Sequence, residues 1–559
     1  MLQVHRSERA DALVPPLAAV LTDPAADPFA REVVAVPTRG VERWLAQRLS
    51  HHLGASDDEA GICANVAFDS PSRVVAEVLA RTLGTDPDDD PWRADRLTWH
   101  VLEAIDACAG EAWCRPLGRF VGAGPTRTAA TGTAATGTAA TGTAGPDTVR
   151  QARRLQVAQH VAHLFTAYAT QRPAMLRAWA AGTDDDGAGS PVPGDLAWQA
   201  RLWRHVRAAV GVPGPAETLE EAVRVLRERP GTVDLPGRLS VFGATRLAEH
   251  HLAVLAALAE HRDVHLWLPH PSPALWERVS AAPGSRALRR RSDLPRAAAH
   301  PLLASMARDS TELQVRTTAL GATSTHHPAP ATPPTLLGAL QERLRRDDPD
   351  APAAPLAPGD RSVQVHACHG RARQVEVLRE VLLAIFAADP TLEPRDVVVL
   401  CPDVEAFAPL VSATFGVAPS DLPADDGEAA WVHPGRSLRI RLADRSLRQT
   451  NPLLSLVSRL LELADDRVTA SQVLDLAGSA PVRRRFDLDD DELDRLRSWA
   501  AESGARWGED RERRARFGVG DIAQGTWETA LDRILLGAAM AEEEQRYVGS
   551  ALPLDDVDS

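Results

Sequence analysis

The chain contains no lysine, so all 62 of its basic residues are arginine. This absence excludes a P-loop ATPase, because the lysine of G-x-x-x-x-G-K-[ST] is the group that reaches the β- and γ-phosphates. It also excludes the metal-dependent nuclease core in which a lysine stands beside acidic ligands near the scissile phosphate. We therefore expect that this chain neither hydrolyses ATP nor cuts DNA by these routes.

Cysteine and long apolar runs are also scarce. The five cysteines form no C-x-x-C pair, which argues against a disulfide framework and a zinc ribbon and favours reduced thiols. No run approaches the ~18 apolar residues of a membrane span, and the N-terminal sequence MLQVHRSERADALV lacks the basic-then-apolar order of a signal peptide. We expect a cytoplasmic protein with no membrane span.

The net charge of -14 does not indicate what kind of partner the chain binds. It argues against a protein that coats nucleic acid over its whole surface, but a basic groove is compatible with an acidic total.

The segment "VVAVPTRGVERWLAQRL" has the order of a phosphate-binding loop. Val33 to Val36 predicts a buried strand, residues 37–40 (Pro-Thr-Arg-Gly) predict a turn, and Trp44, Leu45 and Leu49 follow at helical spacing. A second strand is predicted from Ile62 to Phe68. Alternating strands and helices of this kind favour an α/β domain with a parallel sheet.

Later segments repeat this alternation around helical stretches. The pattern is helical from Trp92 to about Arg229, strand–helix–strand over residues 238–271, and α/β again with strands at 363–369 and 396–402. The Thr/Ala/Gly repeat at 128–145 offers no large side chain to bury and is predicted to be a flexible surface loop. This order is that of a superfamily 1 helicase, and we predict an α/β fold with RecA-like parallel-sheet domains, catalytically inactivated and carrying helical insertions.

The predicted domains follow from this order. They are a first helicase-like domain in two parts (1–90 and 236–325), a helical insertion (91–235), a linker (326–360), the first part of a second helicase-like domain (361–450) and an incomplete second helical insertion (451–559).

Several segments closely resemble the RecC family, the gamma subunits of exodeoxyribonuclease V. They include "VVAVPTRGVERWLAQRL", "SVFGATRLAEHHLAVLAALAEHRDVHLWLPHP", "HPLLASMARDSTELQ", "RWGEDRERRARFGVGDIAQGTWETALDRILLGAAM" and the block from Val363 to Gly416, which is the most specific. The similarity runs from Met1 to the end, and because RecC proteins are about twice this length, the chain resembles their N-terminal half.

The resemblance implies a subunit that works in double-strand break repair and homologous recombination. RecC assembles with RecB and RecD, splits double-stranded DNA ends, guides the single strands and scans one of them for Chi. The resemblance implies no cofactor in this chain, with ATP and Mg²⁺ used by the partner subunits. Consistently, Phe242, Gly243, Ala244 and Thr245 end a strand where a working helicase would carry an Asp-Glu pair for magnesium.

The predicted DNA-binding residues lie where the resembling segments face the strands. Arg39 and Arg43 follow the first strand, and a guanidinium suits phosphate, guanine and stacked bases. Arg172 stands at a matching position in "AHLFTAYATQRP". Thr166 replaces an acidic residue and the two first arginines replace uncharged polar types, so we expect a sequence other than the Chi octamer, or none, to be recognised.

The second α/β segment adds His369, Arg371 and Arg373, predicted to lie near a strand end that meets a DNA backbone. His366, Cys368 and His369 suggest a metal site by residue type, but strand geometry separates them, and no metal site is predicted.

Three further features have two interpretations each. Trp44 is interpreted as a core residue rather than a stacking platform. The acidic run at 487–494 is interpreted as an N-cap and first helical turn. The basic run at 511–518 is interpreted as a solvated helix face rather than a contact with DNA or RecB.

Two alternative functions remain open. One is an autonomous ATP-dependent helicase or nuclease of the AddB type, which the missing nucleotide-binding residues disfavour. The other is a protein-only assembly scaffold whose groove never meets DNA.

Overall fold

The structure is a computed structural model that describes residues 1–23, 30–54, 61–86, 88–121, 146–281, 297–352, 357–415, 438, 440, 442, 451–540, 547–554 and 557. The repeat predicted as a loop at 128–145 lies outside these residues. The chain divides into two compact units. Unit 1 comprises Met1–Arg127 and Ala152–Val365, and unit 2 comprises Thr128–Gln151 and His366–Ser559.

Unit 1 contains a six-stranded sheet in the order β3-β2-β4-β5-β1-β6, in which every pairing is parallel. The strands are β1 (Leu2–Ser7), β2 (Glu32–Ala35), β3 (Val66–Asp69), β4 (Arg238–Phe242), β5 (Asp263–Pro269) and β6 (Thr323–His326). The α/β class predicted from the sequence is confirmed.

Fourteen α-helices are described within residues 1–365: α1 (Val14–Thr22), α2 (Arg39–Leu49), α3 (Pro71–Leu83), α4 (Ala94–Cys108), α5 (Arg115–Val121), α6 (Pro146–Gln171), α7 (Pro173–Ala180), α8 (Ala197–Val210), α9 (Pro215–Glu228), α10 (Glu249–Leu258), α11 (Pro273–Ala281), α12 (Pro301–Met306), α13 (Arg308–Ala319) and α14 (Leu336–Arg346). None of the helices among the described residues is long and apolar enough to cross a membrane.

The sheet has helices on both faces because its strands alternate in side-chain direction. Val34 and Phe242 point to the side covered by α1 and α2, whose Leu17 and Leu45 are fully buried. On the opposite face, apolar residues of the strands pack against α3, α9 and α10. Truncating one of these buried leucines to alanine costs about 2–5 kcal/mol.

The helices between β3 and β4 form a second core. Its largest members are Trp92, Trp179 and Trp203, and the rings of the last two meet edge to face with centroids 6.3 Å apart. The helical character predicted from Trp92 to about Arg229 is confirmed for the residues of this range that the structure describes, 92–121 and 146–229.

The position of β1 inside the sheet, between β5 and β6, was not predicted, because polar residues interrupt its apolar pattern. His5 lies between two other histidines, with Nδ1 3.1 Å from Nε2 of His327 and Nε2 3.1 Å from Nδ1 of His265. Its ring also stacks on Trp267, with centroids 3.9 Å apart. Burial, followed by the charges of the two neighbouring histidines, lowers the pKa of His5 to about 4. The neutral imidazole rings therefore hydrogen-bond to one another inside the sheet.

Part of the predicted linker is ordered. β6 extends to His326, and α14 occupies residues for which no helix was predicted. Asp347, in the left-handed region just after α14, accepts hydrogen bonds from the backbone N–H groups of Ala299 and His300 and pairs with Arg278.

Unit 2 is helical in its described part. Its helices are α15 (Gly370–Ala388), α16 (Val404–Phe415), α17 (Pro452–Asp465), α18 (Ala470–Ala477), α19 (Ala480–Phe486), α20 (Asp490–Glu502), α21 (Arg511–Ala515) and α22 (Trp527–Ala539).

The strands predicted at 363–369 and 396–402 are not formed. No strand runs beside either segment among the described residues, so their backbone groups lack ladder partners, and Val365 and Leu400 are 94% and 90% exposed. This corrects the two strand predictions.

Candidate nucleic-acid interface

The connection from β2 to α2 is tighter than the sequence suggested. Thr38 is the N-cap, and its side chain accepts a hydrogen bond from the Val41 N–H at 3.3 Å. Gly40 lies inside the first helical turn and does not have a positive φ. The predicted four-residue Gly turn is therefore wrong, and the segment forms no loop of successive N–H groups around a phosphate.

Arg39 and Arg43 are one helical turn apart at the start of α2, and both are exposed. Neither side chain has a hydrogen bond or ion pair with another described residue. Trp44 packs inward beside Phe242, with ring centroids 6.1 Å apart, which confirms its core interpretation. The helix thus buries its apolar face and presents two arginines at the carboxyl edge of the sheet.

The loop after β4 lies against this region. Gly243 has φ +76°, and a Cβ built on it would be 3.6 Å from Val41 Cγ1 and 3.9 Å from Pro37 Cδ. The loop carries no carboxylate at residues 242–245, as the sequence indicated, but it does carry the exposed Arg246. Sequence reasoning missed Arg246, although the rule that carboxyl ends of parallel strands share one edge could have identified it.

Arg172 belongs to the same region of unit 1. It is half-buried between α6 and α7, and the neighbouring Thr170 carbonyl accepts a hydrogen bond from Nδ1 of His250 in α10 at 3.2 Å. Burial is the main cause that lowers the pKa of His250. Thr166 donates its hydroxyl to the Ala162 carbonyl one turn back, at 2.9 Å.

The loop after β1 lies between β5 and β6, one strand in from the edge of the sheet, and the side chain of Glu8 lies within it. Oε2 of Glu8 is 3.2 Å from Nε2 of His326 and 3.3 Å from the Ala329 N–H. Burial alone would raise the pKa of Glu8, but hydrogen bonds from the backbone and from His326 together hold it below its usual value. A carboxylate therefore occupies the loop after β1, where an anionic phosphate would be repelled.

The candidates in unit 2 stand at the start of α15. His369 is an exposed N-cap residue without a capping side-chain hydrogen bond, and the Arg371 guanidinium lies 5.7 Å from the ring centroid of Phe407. Arg373 pairs with Glu376 at 2.9 Å. Among the described residues, no group of three or more His, Cys, Asp or Glu side chains is arranged to hold a metal ion.

The acidic and basic runs of unit 2 have structural roles. Asp489 caps α20 and accepts a hydrogen bond from the Glu492 N–H at 2.8 Å, as predicted. In the basic run, however, Arg513 and Arg514 are only 8% and 3% exposed. The interpretation of this run as a solvated helix face is wrong for these two residues, because both guanidinium groups bond to backbone carbonyls of neighbouring segments.

A parallel sheet with helices on both faces, interrupted between β3 and β4 by a helical domain with its own core, defines a helicase-like α/β protein. Two family models match the chain: RecC, N-terminal domain, over residues 2–347, and RecBCD enzyme subunit RecC fourth domain, over residues 450–559. The chain belongs to the RecC family.

Individual relatives are similar along the whole chain. Proteins named RecBCD enzyme subunit RecC are 47% identical over 562 residues in Mycobacterium tuberculosis, 44% over 563 in Mycolicibacterium smegmatis and 27% over 611 in Escherichia coli. Each alignment covers 100% of this chain and 48%, 48% and 49% of the relative, respectively. The chain therefore spans about half the length of the curated relatives it matches.

Proposed function

We propose that this chain is the DNA-handling part of a RecC subunit in double-strand break repair and homologous recombination. In this role it binds double-stranded DNA ends, separates the strands and guides single-stranded DNA, in a cytoplasmic heterotrimer with RecB and RecD. It contributes no ATPase or nuclease centre, and ATP and Mg²⁺ are used by its partners.

The observation that carries this proposal is the pair of exposed arginines, Arg39 and Arg43, at the carboxyl edge of a helicase-like sheet. Open α/β sheets bind their ligands at this edge. Here the loop after β1 holds the Glu8 carboxylate and the chain has no lysine, so the edge offers guanidinium groups without nucleotide-binding chemistry. Guanidinium groups pair with phosphate oxygens and stack on bases, which suits a single strand.

The choice of DNA sequence is a separate part of the proposal. Arg39, Arg43 and Arg172 can each make bidentate contacts to guanine. Thr166 has no charge to discriminate among exposed bases, and its hydroxyl is already bonded within α6. We propose that the chain recognises a Chi-like sequence other than the octamer, or guides the strand without sequence preference.

The test is co-expression with RecB and RecD, followed by DNA crosslinking of the purified complex. An Arg39→Ala, Arg43→Ala double variant should crosslink much less DNA through this subunit, measured per assembled complex. The matched control is Arg201→Ala, Arg229→Ala, which removes two exposed arginines that have no ion pair with a described residue and lie outside this edge. Equal crosslinking in the two double variants would refute the site.

Two further measurements address the alternatives. ATPase activity in the purified chain alone would support the AddB-like function instead. Binding of forked DNA that does not depend on salt, or no binding, would support the protein-only scaffold, because phosphate contacts release counterions and make the affinity fall with salt.

A further inference from the structure

The loop after β4 is fixed beside the start of α2. β2 and β4 are paired in register, with Ala35 opposite Val241. Neighbouring strands lie about 4.8 Å apart, and the close approach of Gly243 to Pro37 and Val41 continues this contact beyond the strand ends. Residues that project from these two loops therefore lie side by side.

The backbone around Arg246 is anchored, whereas its side chain is exposed. Ala244, Leu247 and Ala248 are buried at 4%, 3% and 5% exposure. The Leu247 carbonyl also accepts a hydrogen bond from the Arg316 guanidinium at 3.3 Å. Arg246 has no hydrogen bond or ion pair with another described residue, so a free guanidinium stands on a rigid support.

The loop after β3 offers a useful contrast. Arg73 lies in the first turn of α3, just after this loop, and Asp69 already pairs with it at 3.5 Å. The other acidic side chains near the helix starts that follow β2 and β4 are Glu42 and Glu249. These two carboxylates are outnumbered by three unpaired arginines, Arg39, Arg43 and Arg246, so the net charge near these two loops is positive.

We propose that Arg246 is a further phosphate contact for single-stranded DNA, acting together with Arg39 and Arg43. The strand then crosses the carboxyl ends of β2 and β4 towards Arg172. The hydrogen bond between His250 and the Thr170 carbonyl supports this direction, because His250 is four residues after Arg246 and Thr170 is two before Arg172. This inference rests on the proposed function and extends it to a residue and a path.

The experiment measures binding of a fluorescein-labelled oligothymidine to the full chain by anisotropy over a series of salt concentrations. Loss of one phosphate contact reduces the slope of log K against log salt by about 0.7–1. We expect this reduction, with several-fold weaker binding at low salt, for Arg246→Ala. Arg246→Lys should keep the wild-type slope because it keeps the charge.

The matched control is Arg229→Ala, since Arg229 is exposed just before β4, at the opposite edge of the sheet. It should leave the affinity and the slope unchanged, and an unchanged thermal midpoint in each variant shows that folding is intact. If Arg246→Ala behaves like this control while Arg39→Ala, Arg43→Ala reduces the slope, the inference is refuted and the proposed function stands. If no variant differs, or the wild-type chain shows no salt-dependent binding, both fail.

Discussion

Replacing Arg514 by methionine should destabilise the helical region around residues 505–526 by about 3 kcal/mol, with the magnitude set by the groups it leaves behind. The Arg514 guanidinium donates to the carbonyls of Trp507, Ile522 and Gln524 at 2.7–3.3 Å and lies 4.6 Å from the Trp507 ring centroid. It therefore joins α21 to two other segments, one at Trp507 and one at residues 522–524.

The magnitude follows from two opposing contributions. Each carbonyl left without a donor costs about 1–3 kcal/mol, and loss of the cation–π contact adds about 1–2 kcal/mol. Against this, burying an unpaired charge carries a penalty of several kcal/mol, which the methionine variant no longer has. Burial is also the reason that the pKa of Arg514 is lowered, because no carboxylate contributes to it. The difference is about 3 kcal/mol.

Hydrogen exchange with mass spectrometry on peptides covering residues 505–526 is the appropriate assay. A loss of about 3 kcal/mol accelerates exchange through local opening by roughly 100-fold. Arg516→Met is the control, since Arg516 is exposed two residues away, and it should change stability by less than about 0.5 kcal/mol. Arg514→Lys should lie between the two. Equal protection from hydrogen exchange in Arg514→Met and Arg516→Met would show that the buried guanidinium does not stabilise this region.

Two further predictions concern unit 1. Because the folded pKa of His5 is about 4 against an ordinary value of 6.5, the unfolded chain binds more protons between these pH values, and stability should fall as the pH drops from 6.5 towards 4. His5→Phe keeps a ring on Trp267 and should flatten this part of a plot of melting temperature against pH; an unchanged profile would count against the histidine chain. Asp347→Ala removes the buried acceptor of two backbone N–H groups and Arg278 and should cost about 3 kcal/mol in urea unfolding, whereas Asp348→Ala, at a half-buried neighbour without these bonds, should cost much less.

The sequence predicted those strands of unit 1 that are apolar. β2, β4 and β5 are short valine- and leucine-rich runs followed by helices, so periodicity identified them. β1 and β6 escaped because polar residues interrupt their pattern, and the partners of those residues lie far away in the chain, as with His5, which contacts His265 in β5 and His327 just after β6. The reverse error occurred at 363–369 and 396–402, where strand-like sequences lack a neighbouring strand among the described residues.

The sequence predicted the candidate-site residues that follow β2 but not the one that follows β4. Arg39 and Arg43 follow an evident strand, so their position at its carboxyl end was within reach of the sequence. Arg246 required the further inference that β2 and β4, more than 200 residues apart in the chain, end at the same edge of one parallel sheet, and a local pattern alone does not supply it. Arg513 and Arg514 show another limit of sequence reasoning, since a run of basic residues does not indicate which of its side chains are buried.

The pairing of β1 with β5 and β6 also bears on synthesis at the ribosome. Leu2 pairs with Val264 and Gln3 with Thr323, so β1 leaves the exit tunnel more than 250 residues before its first partner strand. At about 5–20 residues per second, this interval is on the order of 10–60 s. During that time β1 exposes two unpaired strand edges, so its backbone groups are open to pairing with other chains until β5 and β6 are made.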